Sequence, residues 1–191
     1  FGGGWWWVGG ETLQKTDASV YYFASSDKER VTKSIDKEEI CAIGNHTIVT
    51  REQVQMYTKF YEITYDKTLS EKKAIAYAKE RNALYVAAMQ NGYQVTDEQV
   101  KAYVEELKQN LDGIWTKEQK EKLLSGFASE DDYWAFEQKV YRIDLPIQNY
   151  VRDKENEFNR KNESGQTWDE AFKTLKQNLV DEQQYKDSSS Y

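Results

Sequence analysis

The chain has a single cysteine, Cys41, and a single histidine, His46, the two residue types that most often pair as nucleophile and base. They belong to two short β-rich stretches, residues 40–43 and 46–49, which the dipeptide Gly44-Asn45 separates. A two-residue loop with glycine in first place is typical of a type II′ β-hairpin. We therefore predict a hairpin in which Cys41 and His46 are diagonal neighbours on one face of the sheet.

Such a pair permits nucleophilic chemistry, but the sequence places no orienting carboxylate or recognisable oxyanion site beside it. Free cysteine is among the most buried residue types, so we favour a structural thiol in the core over a catalytic one. One cysteine and one histidine also supply too few ligands for a zinc site. The sequence contains neither calcium-loop nor phosphate-binding glycine motifs. We expect no cofactor and no enzyme activity.

The composition of the 191-residue chain narrows the remaining classes of function. The formal net charge is −7, which argues against a nucleic-acid partner because binding to phosphates requires a basic surplus. The sequence contains no run of about 18 apolar residues, the length that spans a bilayer. We expect a membrane connection only through an anchor upstream of Phe1, since the chain begins without methionine in a stretch rich in Gly and Trp.

Helices should form most of the fold, because their start signals recur along the chain. A hydroxyl residue followed three positions later by an acid or amide caps the first turn of a helix, and this pattern occurs at Thr50, Thr68, Thr96, Thr116, Ser129 and Thr167. We predict a mainly α fold, in which a small N-terminal β-hairpin or sheet packs on about six helices. Pro146 should kink the longest helix, which runs from residue 129 to about residue 160.

The predicted organisation has three parts. Residues 1–37 form an N-terminal arm with one short strand at 20–23, and residues 38–186 form the helical domain. The closing helix of that domain covers about residues 167–183. Residues 187–191, which are rich in serine, form a disordered tail.

The order of elements between residues 40 and 160 resembles the N-terminal chaperone domain of the SurA and PrsA foldases. The hairpin Ile43-Gly-Asn-His-Thr-Ile48 precedes Thr50-Arg-Glu-Gln-Val54, which opens an aromatic helix. A long helix then leads to Asn91-Gly-Tyr-Gln-Val-Thr-Asp-Glu-Gln-Val100. Gly126-Phe-Ala-Ser-Glu-Asp-Asp-Tyr133 matches the family's glycine, aromatic and acidic start to its next helix. The family's prolyl-isomerase domain, which needs on the order of a hundred residues, does not fit between the long and closing helices, where only residues 161–166 lie.

The resemblance implies an ATP-independent chaperone that binds unfolded or extended polypeptides outside the cytoplasm, without prolyl-isomerase activity. It implies a bacterial protein, of Gram-positive type, that is secreted or anchored on the outer face of the membrane. It also allows a homodimer formed by helix exchange. The alternative is a structural adaptor or dimerisation module that binds one dedicated protein partner.

Aromatic residues are the candidate contacts for a polypeptide partner. They make up 14% of the chain, and tyrosine and tryptophan offer large amphipathic surfaces at low entropic cost. We predict that a groove between the hairpin unit and the long helix is lined by Tyr57, Phe60, Tyr61, Tyr85, Tyr103, Trp115, Tyr133 and Trp134. For each of these residues, burial in the core is the alternative.

Overall fold

The structure, a computed structural model, describes residues 10–12, 20–65, 67–161 and 165–188; the side chains of residues 10–12, 60, 63, 64 and 112 lie outside this description. The helices in these ranges are α1 (Lys28–Lys33), α2 (Arg51–Tyr65), α3 (Glu71–Gln90), α4 (Asp97–Asp112), α5 (Lys117–Leu124), α6 (Glu130–Lys161) and α7 (Trp168–Gln183). The strands are β1 (Gly10–Thr12), β2 (Val20–Tyr22), β3 (Ile40–Ile43), β4 (Ile48–Thr50) and β5 (Lys186–Asp187). This mainly helical fold with a small antiparallel sheet confirms the predicted fold class.

Five of the six predicted cap residues cap a helix, four of them as follows. The hydroxyls of Thr96, Thr116 and Thr167 each accept a hydrogen bond from the backbone N–H three residues later, whose side chain bonds back to the cap residue. At the start of α6, Ser129 Oγ accepts from Asp132 N at 3.1 Å. These bonds satisfy donors that the first turn of a helix leaves free, so local sequence alone sufficed to locate four helix starts.

The cap of α3 differs from the prediction, and α2 lacks the reciprocal bond of its predicted capping box. Ser70 caps α3 by accepting a hydrogen bond from Lys73 N at 3.2 Å, so the predicted capping box at Thr68 is wrong. Thr50 does cap α2, since its hydroxyl accepts from Gln53 N at 3.2 Å. The Gln53 side chain, however, extends into the interior instead of returning to the cap.

That buried side chain joins the hairpin to the helices. Gln53 of α2 and Asn82 of α3 are both buried, and Gln53 Nε2 donates to Asn82 Oδ1 at 2.6 Å. Asn82 Nδ2 in turn donates to the backbone oxygen of Ile48 in β4 at 3.3 Å. Because buried amides must be paired, these bonds fix the position of β4 against two helices.

The hairpin differs from the predicted one in loop length and register. Strands β3 and β4 pair antiparallel with Ile43 opposite Ile48, and the four-residue loop 44–47 is closed by a backbone hydrogen bond of 2.8 Å between its first and last residues. The predicted two-residue type II′ loop is therefore wrong, and Gly44 does not have a positive φ. His46 lies in this loop and not on β4, and Cys41 lies at an irregularity in the strand pairing, so the predicted diagonal placement of the two residues is wrong as well.

Gly44 is required for a different reason, the close approach of the C-terminal segment. A Cβ at this position would lie 2.9 Å from Gln183 Oε1 and 2.9 Å from Tyr185 Cε1, both closer than normal van der Waals contact. Tyr185 is held there because its hydroxyl donates to the backbone oxygen of Lys79 at 2.7 Å. The end of α7 is thus packed directly against the hairpin loop.

The segment after α7 adds a third strand to the sheet. β5 pairs antiparallel with β3, which gives the strand order β4-β3-β5. Asp187 lies opposite Ala42, and Ser188 N donates to Cys41 O at 3.0 Å. The predicted disordered tail is therefore wrong for residues 187 and 188, because the free edge of β3 supplies their hydrogen-bond partners. Residues 189–191 lie outside the described residues.

Residues 20–37 pack on the hairpin. The predicted strand is present as β2, which pairs in parallel with β1, and α1 is a helix that the sequence did not indicate. Thr47 Oγ1 donates to Tyr21 O at 2.7 Å, and the fully buried Phe23 donates its backbone N–H to His46 O at 3.1 Å. Trp5 to Trp7 lie outside the described residues.

Helix α3 lies at the centre of the fold. Every residue from Asn82 to Met89 is buried, and α3 contacts α2, α6, α7 and β4. Helix α6, which has 32 residues and includes the buried Pro146, packs against α3 and α4. Helix α7 packs mainly on α3. The three helices α3, α6 and α7 therefore define the walls of one surface depression.

Candidate functional site

The cysteine–histidine pair has a structural environment. Cys41 is fully buried, and burial raises the pKa of its thiol, which keeps it in the poorly nucleophilic protonated form. His46 lies in the β3–β4 loop, where its Nδ1 is 3.0 Å from Phe23 O and its backbone N–H donates to Gln183 Oε1 at 2.9 Å. The contacts of His46 hold the loop in place. The Cys41 thiol, buried and protonated, lacks the character of a catalytic nucleophile.

Four of the eight predicted contact residues belong to the core. Tyr57, Tyr85, Tyr133 and Trp134 are only 2–6% exposed. The Tyr57 hydroxyl accepts a hydrogen bond from Gln53 Nε2. Tyr133 packs edge-on against Trp134, with 4.9 Å between the ring centroids. The expectation that these four line an open groove is wrong in this conformation, because their aromatic area is already covered by other helices.

Of the other predicted residues, Trp115 packs on Tyr133 and Trp134, whereas Tyr61 and Tyr103 pack on rings outside the predicted set. Tyr61, Tyr103 and Trp115 are half-buried. The ring of Tyr61 packs on Tyr65 at 4.9 Å, that of Tyr103 on Tyr141 at 4.9 Å, and that of Trp115 on Trp134 at 6.0 Å. The side chain of Phe60 lies outside the described residues. None of the seven whose side chains are described lines the cleft described next.

A cleft of about 310 Å³ lies between α3, α6 and α7. Its apolar walls are formed by Tyr77, Leu84, Ile147, Val151 and Phe172, and its charged rim by Glu80, Arg152, Glu155 and Lys176. Lys176 and Glu80 form an ion pair of 3.3 Å across α7 and α3. The volume is at the lower end of the range of roughly 300–1,000 Å³ for small-molecule pockets, so side chains fit it better than a bulky ligand does.

A buried ion pair lies at the inner end of this cleft. Arg81 of α3 bonds to Asp144 of α6, whose side chain is 1% exposed. Gln148 Nε2 also donates to Asp144 Oδ2 at 2.6 Å, and Gln148 Oε1 accepts from the Tyr103 hydroxyl of α4 at 3.2 Å. Burial raises the pKa of Asp144 to about 6, while Arg81 and Gln148 oppose that increase.

A set of half-exposed aromatic rings continues from the cleft; we call Phe158, Trp168 and Phe172 the aromatic ledge. Trp168 stacks on Phe172 with a centroid distance of 5.4 Å and an interplanar angle of 6°, and Phe158 packs on Trp168 at 5.7 Å. Lys176 Nζ lies 4.5 Å from the centre of the Phe172 ring. Because Phe172 belongs to both features, cleft and ledge form one amphipathic surface.

The sequence pattern that forms this surface is compatible with a buried face and with an exposed one. Trp168, Phe172, Leu175 and Leu179 occur at i, i+4, i+7 and i+11, the stripe of an amphipathic helix. That spacing indicates a face that packs on something without indicating which part of it stays open. In the structure α7 packs on α3, and the half-buried Trp168 stacks on Phe172 at the start of the helix to form part of the ledge.

A second cleft, of about 550 Å³, lies between α2 and the segment that leads into α3. Val54 and Leu69 provide its apolar surface, and Arg51 and Glu71 form an ion pair of 3.3 Å at one side. Its lining is more polar than that of the first cleft, so it offers less surface for the apolar side chains of a partner.

Two features are absent from the part of the chain that the structure describes. No cluster of three or more His, Cys, Asp or Glu side chains suited to holding a metal ion occurs among those residues. Within the same ranges, no helix has both the length and the hydrophobicity needed to cross a membrane.

Comparisons with known proteins yield no relative for this chain. No family model matches it, and neither the curated proteins nor the solved structures include a significant match. The resemblance to the SurA and PrsA chaperone domain therefore remains a prediction from the sequence.

Proposed function

We propose that this protein binds unfolded or extended polypeptides in the manner of an ATP-independent chaperone, without prolyl-isomerase activity. The observation that carries the proposal is the continuous surface made by the α3–α6–α7 cleft and the aromatic ledge. This surface combines apolar walls, three half-exposed aromatic rings and a rim with charges of both signs.

Such a surface suits clients of varied sequence. Aromatic side chains provide large contact areas at low entropic cost, and mixed charges accept acidic as well as basic flanking residues. The limited volume of the cleft favours the docking of a few side chains of an extended chain. Contacts of this size give weak and rapidly reversible binding, which permits release without ATP.

The sequence resemblance supports the same class of function. The SurA and PrsA chaperone domain implies a place outside the cytoplasm, and we propose that location here, with secretion or an anchor on the outer face of a bacterial membrane. Only residues 162–167 separate α6 from α7, so no isomerase domain lies between these helices. Helix exchange between two copies remains part of the proposal, since α7 is joined to α6 by this short link.

An aggregation assay tests the proposal. The protein should suppress aggregation of two unrelated, thermally unfolded clients at near-stoichiometric ratios without ATP, and Phe172→Ala should weaken suppression of both. Ile114→Ala is the matched control, because Ile114 is 71% exposed and precedes Trp115, which packs on Trp134 far along α6 from the cleft. Circular dichroism should show equal helicity in both variants.

Two outcomes would count against the proposal. Suppression of neither client would favour the adaptor alternative, in which the same surface binds one dedicated partner tightly. Equal suppression by wild type and Phe172→Ala would show that clients bind elsewhere on the molecule.

A further inference from the structure

Helix α6 buries two carboxylates on one side. Glu137 is 5% exposed and Asp144 is 1% exposed. They are seven residues apart, about two helical turns, so both side chains project from the same face of α6. Acidic residues are almost never buried to this degree unless a partner stabilises the charge.

Asp144 has such partners. The Arg81 guanidinium of α3 bonds to it, and the Gln148 amide donates a hydrogen bond of 2.6 Å. Gln148 also accepts from the Tyr103 hydroxyl at 3.2 Å, so the bonds of Asp144 continue from α3 through α6 to α4. One cation thus neutralises one of the two carboxylates.

Glu137 is surrounded differently. Among the described residues, the groups that act on its charge are the Tyr133 hydroxyl, which bonds to it, and the negative Asp144 on the same helix. On α4, the phenol of Tyr103 faces Glu137. On α3, the Arg81 guanidinium forms its ion pair with Asp144. Burial is the largest effect and raises the pKa of Glu137 to about 8.

The contact of α4 with α6 lies next to this carboxyl. The ring of Tyr141, one turn after Glu137, packs against the ring of Tyr103 at 4.9 Å. An ionised Glu137 would place a second negative charge beside this contact, with the nearby guanidinium already bound. Charge that is buried without a counter-ion is relieved by protonation or by local opening to water.

We propose that Glu137 is a proton-binding switch: its carboxyl is protonated when α4 packs on α6, and loss of the proton loosens α4 from α6. Client binding by the cleft is a separate matter, since the switch depends on buried groups of the α4–α6 contact. The sign follows from the geometry, because the packed form takes up a proton that the opened, solvated form releases.

Hydrogen exchange of the α4 amides, corrected for intrinsic rates, tests the switch. In the wild type, protection should fall about tenfold between pH 7 and pH 9, the range in which a group of pKa about 8 ionises in the packed form. Glu137→Gln, which mimics the neutral carboxyl, should lose this dependence, and the exposed Glu105→Gln on α4 should retain it. Burial raises the pKa of Tyr133 and Tyr141 well above this range, so they do not contribute.

A second measurement keeps the test decisive if Glu137→Gln folds poorly. Carbon-13 NMR of the wild type, labelled at glutamate carboxyls, should show one carboxyl that titrates in the same range as the loss of α4 protection. An equal pH dependence in Glu137→Gln, or constant α4 protection while that carboxyl ionises, would overturn the proposal.

Discussion

Replacing Arg81 with methionine should strongly destabilise the fold, because it leaves Asp144 as a buried carboxylate without its cation. Asp144 is 1% exposed and the Arg81 side chain is 11% exposed, so little water reaches the pair. Removing one partner of a buried ion pair costs about 3–5 kcal/mol. We expect a loss of this size in the free energy of unfolding at pH 7.5.

The pH dependence of that loss has a definite sign. Burial raises the pKa of Asp144 from 3.8 to about 6, and Arg81 opposes the rise, so its removal raises the pKa further. A folded-state pKa above the unfolded value means that stability is lost as pH rises through the folded pKa. In Arg81→Met this loss continues to higher pH than in the wild type. The variant should therefore be closer to the wild type at pH 5 than at pH 7.5.

Urea unfolding at the two pH values measures the effect, with Arg142→Met as the matched control. Arg142 forms an ion pair of 3.3 Å with Asp97, but the two side chains are 40% and 78% exposed, so its loss should cost less than about 1 kcal/mol. Adding Asp144→Asn to Arg81→Met should recover part of the stability. A cost equal to that of Arg142→Met, or one that does not change with pH, would refute the reasoning.

Three further predictions concern other parts of the fold. Gly44→Ala should lower the free energy of unfolding by about 1–3 kcal/mol, because its Cβ would lie 2.9 Å from atoms of Gln183 and Tyr185. Gly113→Ala, whose Cβ would meet no non-adjacent described residue within 4 Å, should change thermal stability little. The buried Cys41 thiol should react with a chromogenic disulfide reagent only as fast as the protein unfolds. The wild type should lose stability to urea as pH rises from about 4.5 to about 8, because folding raises the pKa of Glu137 from 4.5 to about 8. The Glu137→Gln variant should show a smaller loss.

The helical part of the fold was predictable because its signals are local. A hydroxyl at Thr96, Thr116 or Thr167 bonds within its own first turn, so the sequence of four residues decides the outcome. Strand β5 and the register of the hairpin depend on distant partners. Lys186 and Asp187 have no β character of their own and become a strand because the edge of β3 is free.

The candidate site was less predictable for a related reason. An aromatic residue on a helical stripe is compatible with the core and with an open surface, and only the packing of the other helices decides between them. Tyr133 and Trp134 are covered by other rings, whereas Phe172 and Trp168 are only half-buried and stack on each other. The buried charge of Asp144 likewise required a partner from α3 that no spacing within α6 reveals.

Site-specific photo-crosslinking tests the central claim most directly. A photoreactive amino acid at Val151 or Phe172, in the wall of the cleft, should crosslink to two unrelated unfolded clients and only weakly to their folded forms. The same group at Ile114, which is exposed but remote from the cleft, should give little product with either client. Equal crosslinking from position 114, or none from positions 151 and 172 while aggregation is suppressed, would contradict the account.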